Sequence, residues 1–412
     1  MIKKQLIFML CLILATGATT QQTKAPLQQG RWHASLFRND GKQIPFVIEL
    51  RYDQQQLFAY IVNGREKIRT ENISFSEDSA VIRMPVFESF FRVRKVGTDS
   101  LNGVWVKGAE GEDIIVPFSA RLAANSTVMP AKAKGSIQGK WSMEITRPNR
   151  TKRPAVGSFT QKGNKISGFI LTPSADYRYL EGTIAGDSIL FSTFDGSHAM
   201  LFLARISGNK MSGTFYNGAS AKEDWVATRN EQAALPQANV PVTAVRGSGE
   251  EKLNFSFRNI DGATVSINDA QYKGKVVVLQ VMGSWCPNCM DETAFLSEYY
   301  RKNKDRGIEV IALAYELSTD ESRSANSLRK FREKFNVPYQ MLITGATASD
   351  PEKAEKTLPQ LTALKNFPTT IFIDREGKVK AIETNFYGPA SKEYHEKFKR
   401  EFEETVNKLL RK

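Results

Sequence analysis

Two cysteines three positions apart, Cys286 and Cys289, stand in the stretch Trp285-Cys286-Pro287-Asn288-Cys289. The continuous apolar run Val276 to Met282 precedes them. Residues Met290 to Tyr300 follow, with Phe295, Leu296, Tyr299 and Tyr300 on one helical stripe. This order predicts a strand buried on both faces, then the cysteine pair at the start of a helix. At such a start, free backbone N–H groups and the positive end of the helix dipole favour a thiolate. Cys286 is therefore the candidate nucleophile toward a disulfide. Cys289, one turn further in, is the candidate resolving thiol that attacks the resulting mixed disulfide. The pair cannot build a four-ligand zinc site alone and no second cysteine pair completes one, so neither a metal nor a cofactor is expected. A structural disulfide closing so small a loop would restrict the unfolded chain only slightly. The pattern points to a redox-active disulfide that alternates with the dithiol.

The elements that position this pair occupy the last part of a chain of 412 residues, long enough for two to four domains. Lys3 and Lys4, the apolar run Leu6 to Ala15 and the small residues Ala15-Thr16-Gly17-Ala18 read as a signal peptide over residues 1–20. Its apolar run is too short to span a bilayer. Cys11 would be lost with it, leaving an exported, soluble protein of the periplasm or cell envelope whose two remaining cysteines face oxidising conditions. The formal net charge is +13, but Lys and Arg are scattered through all segments with no basic arm, so no nucleic-acid partner is expected.

Residues 25–124 read as a first all-β domain, barrel or sandwich. Strand-like runs Phe46 to Tyr52 and Leu57 to Val62 are followed by the tight-turn pair Asn63-Gly64. Residues 137–229 read as a second such domain and a repeat of the first. Gly30-Arg31-Trp32 is echoed by Gly139-Lys140-Trp141, Asp78-Ser79 by Asp187-Ser188, and Asn102-Gly103-Val104-Trp105 by Ser212-Gly213-Thr214-Phe215, at a steady offset of about 110 residues. The Gly-x-Trp openings resemble those of lipocalin-like barrels. Trp32 and Trp141 are expected in the cores, and His33 and His198 read as isolated, without ligand-spaced partners. Any ligand of these domains is left unidentified. Residues 230–250, with Pro236, Pro241 and Gly247-Ser248-Gly249, read as an extended or mobile linker.

From 251 to 412 strands and helices alternate, which predicts an α/β domain. Here the chain resembles the thioredoxin superfamily, and more closely its exported TlpA/ResA-like thiol-disulfide oxidoreductases. The resemblance rests on Gly283 to Cys289, on Phe367-Pro368-Thr369-Thr370 entering a strand, and on Ile373 to Val379. It implies that Pro368 is a cis-proline facing the cysteines, with Trp285, Phe367 and Pro368 binding the substrate chain. Thioredoxins proper carry an acidic residue six positions before the first cysteine, where this chain has Gln280. The TlpA/ResA-like pattern instead implies Glu292, three residues after Cys289, as the group that exchanges the resolving thiol's proton. Glu292 also fits an ordinary first-turn acid favoured by the helix dipole, like its neighbour Asp291.

The function expected is reduction of disulfide-containing protein substrates, fed by a membrane thiol donor. A second expectation is a ligand- or envelope-binding protein whose tandem β domains are functional and whose redox domain regulates them. A thiol peroxidase shares the fold, but the Pro-x-x-x-Thr/Ser-x-x-Cys context of peroxide-reducing cysteines is missing.

Overall fold

A computed structural model describes residues 27–123, 131–236, 242–247 and 252–411 of the chain. The expected leader with Cys11 lies outside the described residues, as do residues 124–130 and parts of the 230–250 linker.

Alternating burial along the first strands follows their apolar-polar alternation. Strands β1 (Gly30–Phe37), β2 (Gln43–Asp53), β3 (Gln56–Asn63) and β4 (Glu66–Arg69) form antiparallel hairpins. They are followed by β5 (Ser74–Ser76), β6 (Ser79–Arg83), β7 (Ser89–Val96), β8 (Ser100–Lys107) and β9 (Ile114–Leu122). The sheet order is β4-β3-β2-β1-β9-β8-β7-β6-β5. It is a single sheet left open between β4 and β5.

The second unit runs through β10 (Gly139–Thr146), β11 (Lys152–Lys162), β12 (Lys165–Leu171), β13 (Leu180–Ala185), β14 (Ser188–Phe194), β15 (Ala199–Ser207), β16 (Lys210–Asn217) and β17 (Ala221–Arg229). These eight strands close, β10 pairing with β17. The echoed residues occupy matching places. Gly30 and Gly139 open β1 and β10 with φ of 135° and 107°, a region that favours glycine. Trp32 and Trp141 are fully buried, and each donates its indole N–H to the carbonyl four residues back, Gln28 at 3.0 Å and Ile137 at 2.8 Å.

The core of the first sheet is completed from the second unit. Phe194, at the end of β14, is fully buried with its ring 4.5 Å from Phe46 and 5.2 Å from Trp105. The Asn63 side chain pairs with its backbone, donating to the Phe194 carbonyl at 2.8 Å and accepting from its N–H at 3.2 Å. The two β units thus share a core, and the polar backbone carried into it is satisfied.

The last domain has β18 (Ser256–Asn259), β19 (Thr264–Ser266), β20 (Val276–Met282), β21 (Ile308–Ala314), β22 (Gln340–Ile343), β23 (Thr369–Ile373) and β24 (Val379–Glu383). Helix α1 (Pro287–Asn303) joins β20 to β21, α2 (Glu321–Phe335) joins β21 to β22, a short α3 (Lys353–Thr357) follows, and α4 (Glu393–Leu410) closes the chain. The order β19-β18-β22-β21-β20-β23-β24, with β20, β21 and β22 parallel and β23 antiparallel to β20, is a thioredoxin fold with an added hairpin. All seven residues of β20 are buried. Val276, Val278 and Met282 pack with buried residues of α1, α2 and α4, while Val277, Leu279 and Val281 pack with the opposite layer.

Within the 230–250 linker, residues 243–246 lie against the 358–362 loop. Thr362 N–H donates to Ala244 O and Arg246 N–H to Gln360 O, both at 2.8 Å, and Thr243 is buried. Edge backbone of the 358–362 loop supplies the partners that a polar linker would otherwise find in water. His198 is not isolated, because Asp195 lies within 3.4 Å of its ring and also caps the tight turn by accepting from the N–H groups of Ser197 and His198.

Candidate functional site

Helix α1 begins at the cysteine pair for a local reason. Cys286 is its N-cap in extended conformation, its sulfur accepts the Cys289 N–H at 3.2 Å, and Pro287 fills the first turn, where a missing N–H costs nothing. Both cysteines are free thiols and both are buried. The Cys286 thiol also lies 3.5 Å from the Phe367 carbonyl. The Phe367-Pro368 peptide bond is cis. The Trp285 indole donates to Tyr315 O at 2.8 Å and meets the Phe367 ring edge-on at 5.4 Å. The fold therefore brings Trp285, Cys286, Phe367 and Pro368 together.

Behind the sulfurs lies a buried polar chain. Glu292 accepts from the Thr370 hydroxyl at 2.5 Å and from Gln280 Nε2 at 2.8 Å, and Gln280 Oε1 accepts from the Thr293 hydroxyl at 3.2 Å. Burial pushes the Glu292 carboxyl up to about 7, against the lowering effect of these hydrogen bonds. Burial likewise pushes the Cys289 thiol well above its ordinary range, reinforced by its contact with Cys286 and by the Glu292 charge. The Glu292 charge is felt at the Cys289 thiol, and a carboxyl near 7 changes its protonation around neutral pH.

Gln280 and Thr370 are the residues that hold Glu292. The sequence marks Thr370 only as part of the Phe367-to-Thr370 stretch and Gln280 only as a polar residue in an otherwise apolar strand, and neither signal pairs them with Glu292. Glu316, also unforeseen, accepts from Ser284 N–H at 2.8 Å and from its hydroxyl at 2.5 Å, fixing the loop before the cysteines. Burial lifts its carboxyl to about 7 as well, opposed by those two bonds.

The barrel of the second unit reaches the same helix start. Asp176 accepts from Asn288 Nδ2 at 3.3 Å, and burial, followed by the Asp291 charge, lifts its carboxyl to about 6. Arg178 donates to Pro287 O at 3.1 Å and pairs with both Asp291 and Glu66. A cavity of about 360 Å³ in the barrel mouth is lined by Arg153, Asp195, His198 and Glu223 among others, and reaches Asn288. Among the described residues no cluster of three metal-ligating side chains occurs, and no helix is long and apolar enough to cross a membrane.

Residues 248–382 match the model of the AhpC/TSA family. Thiol-disulfide oxidoreductase ResA of a Bacillus cereus strain is 30% identical over 131 residues, which cover 32% of this chain and 66% of that protein. The ResA of Halalkalibacterium halodurans is 23% identical over 139 residues, covering 33% and 68%. Among solved structures, a thiol:disulfide interchange protein DsbE from Chlorobium tepidum aligns with 23% identity and a TM-score of 0.28, covering 36% of this chain and 92% of that one. The thioredoxin domain of a thiol-disulfide oxidoreductase from Bacteroides vulgatus aligns with 25% identity and a TM-score of 0.26, covering 35% and 92%. The chain thus spans about two thirds of the length of the ResA relatives, all of it within the C-terminal domain, and that domain is similar to thiol-disulfide oxidoreductases.

Proposed function

We propose that this chain is a thiol-disulfide oxidoreductase of the cell envelope that reduces disulfide-containing proteins. The observation that carries the reading is the Cys286 sulfur at the α1 N-cap, beside the Phe367 carbonyl and Pro368, with a buried carboxyl behind Cys289.

The Cys286 thiolate attacks one sulfur of the substrate disulfide, forming a mixed disulfide and expelling the other sulfur as a thiolate that takes up a proton. Glu292 accepts the proton of Cys289. The new thiolate then attacks the Cys286 sulfur, closing the Cys286–Cys289 disulfide and releasing the second substrate thiol. Two electrons pass to the substrate, and a membrane-borne dithiol donor must return them. Trp285 and the Phe367-Pro368 backbone border the sulfur and are assigned to hold the substrate chain.

Cys289→Ser should stop the reaction halfway. A dithiothreitol-sensitive adduct between Cys286 and insulin chains should build up on non-reducing gels, and its absence would sink the two-step scheme. Direction is set by the equilibrium with glutathione. A potential near thioredoxin's, about −270 mV, is expected, whereas one near −120 mV would make the protein an oxidant.

The barrel-mouth cavity favours a second reading, in which the β domains bind a small polar ligand and the redox domain regulates them.

A further inference from the structure

Every residue of the motif that is not a cysteine is held by the barrel of the second unit. Ser197 donates its hydroxyl to Trp285 O at 2.7 Å. Arg178 binds Pro287 O, and Asp176 binds Asn288. The segment from Thr172 to Arg178 is wedged between the start of α1 and the 386–388 loop. On the loop side Asp176 accepts from Gly388 N–H at 2.7 Å, and the Tyr387 hydroxyl donates to Thr172 O at 3.1 Å. A side chain at Gly388 would have its Cβ 2.6 Å from Asp291 Oδ2, so the loop closes this tightly only because that residue is glycine. In this arrangement Cys286 is 4% exposed and Asn288 8%. A polypeptide laid against this sulfur needs strand-like room of about 5 Å, and a sulfur so covered does not offer it.

We propose that the two β domains form an opening lid that slows the approach of protein disulfides to the dithiol, with Arg178 as its latch. Arg178 is the residue at which all three domains meet: one guanidinium nitrogen serves Glu66 of the first unit, and the other serves Pro287 and Asp291 of α1. Its backbone is held at φ 50°, a conformation unusual outside glycine. With apolar packing of Phe169 and Leu171 near Tyr387 and Tyr394 beside them, the direct contacts to the motif are ionic and polar. Such groups regain water when they separate, so a buried ion cluster adds little net stability while fixing one geometry closely. Contacts of this kind suit a joint that opens. A second set of bonds, from Arg323 and Ser327 of α2 to Glu88 at 2.9 and 2.6 Å, ties the first unit to the redox domain away from the cysteines. The lid rests on the redox reading for its purpose, though not for its existence.

The test labels the reduced, full-length protein with iodoacetamide or with a maleimide carrying a polyethylene glycol chain, and locates modified Cys286 by mass spectrometry. In the wild type the bulky reagent should lag well behind the small one. Arg178→Ala should raise the bulky-to-small rate ratio by about tenfold or more. Glu66→Gln keeps a neutral acceptor and serves as a milder second variant, with circular dichroism checking that each is folded. Equal access of both reagents to the wild type, or an unchanged ratio in folded variants, overturns the lid. If labelling behaves as expected while no variant reduces insulin, the lid stands and the redox assignment falls.

Discussion

Cys286→Ser is expected to abolish thiol-dependent insulin reduction, with a loss on the order of a thousandfold or more, because a serine hydroxyl is no nucleophile toward sulfur at neutral pH. The substitution is structurally mild. Serine is among the preferred N-cap residues, so its oxygen can accept the Cys289 N–H that the sulfur accepts now, at 3.2 Å, and the helix start should survive. Loss of activity with unchanged circular dichroism and urea midpoint would therefore report chemistry, not folding. The contrast with Cys289→Ser is informative, since that variant keeps the attacking sulfur and should trap substrate, whereas Cys286→Ser should trap none. Wild-type-level reduction by Cys286→Ser would remove the redox assignment altogether.

The elements of the redox domain were legible because their signals are local. Six apolar residues in a run of seven, directly before the cysteine pair, fit a strand covered on both faces, and Phe398, Phe402 and Val406, four apart, share a helix face. The β half was legible as β from its alternation, but not in its closure. Whether a sheet closes depends on β4 and β5 meeting, which no local pattern encodes, and Phe194 from the other unit completes the core of the first. The covering of the motif was invisible for a related reason. Asp176 and Arg178 sit in an ordinary polar loop more than a hundred residues from Pro287 and Asn288, and their partners are fixed only by how whole domains dock. Gln280 shows the same limit on a smaller scale. The sequence marked it as the wrong residue for a proton carrier, and the structure makes it the donor that orients one.

Glu292→Gln separates a proton carrier from a structural acid, because the two roles predict opposite outcomes. The glutamine amide can still accept from Gln280 and donate to Thr370, so the buried network keeps its partners. The carboxyl's pKa stands at about 7 in the folded protein, above its ordinary 4.5. A group raised on folding gives its full stabilising share below the unfolded value and loses it as pH climbs to the folded one. Wild type should thus lose stability relative to Glu292→Gln between about pH 4.5 and 7, by roughly 3 kcal/mol in all, with the difference constant above that. Urea titrations of both proteins at pH 5 and pH 8 measure it. Catalysis should move the other way. If Glu292 takes the Cys289 proton, the resolving step accelerates as the carboxylate forms near pH 7, and the variant should lose that inflection and about a hundredfold in rate at pH 8. Formation of the mixed disulfide at Cys286 should be unchanged, which single-turnover stopped-flow with a chromogenic aromatic disulfide can resolve. A variant that is more stable at pH 8 yet slow only in the second step would leave no purely structural explanation. One that resolves at the wild-type rate would make Glu292 a buried acid and nothing more.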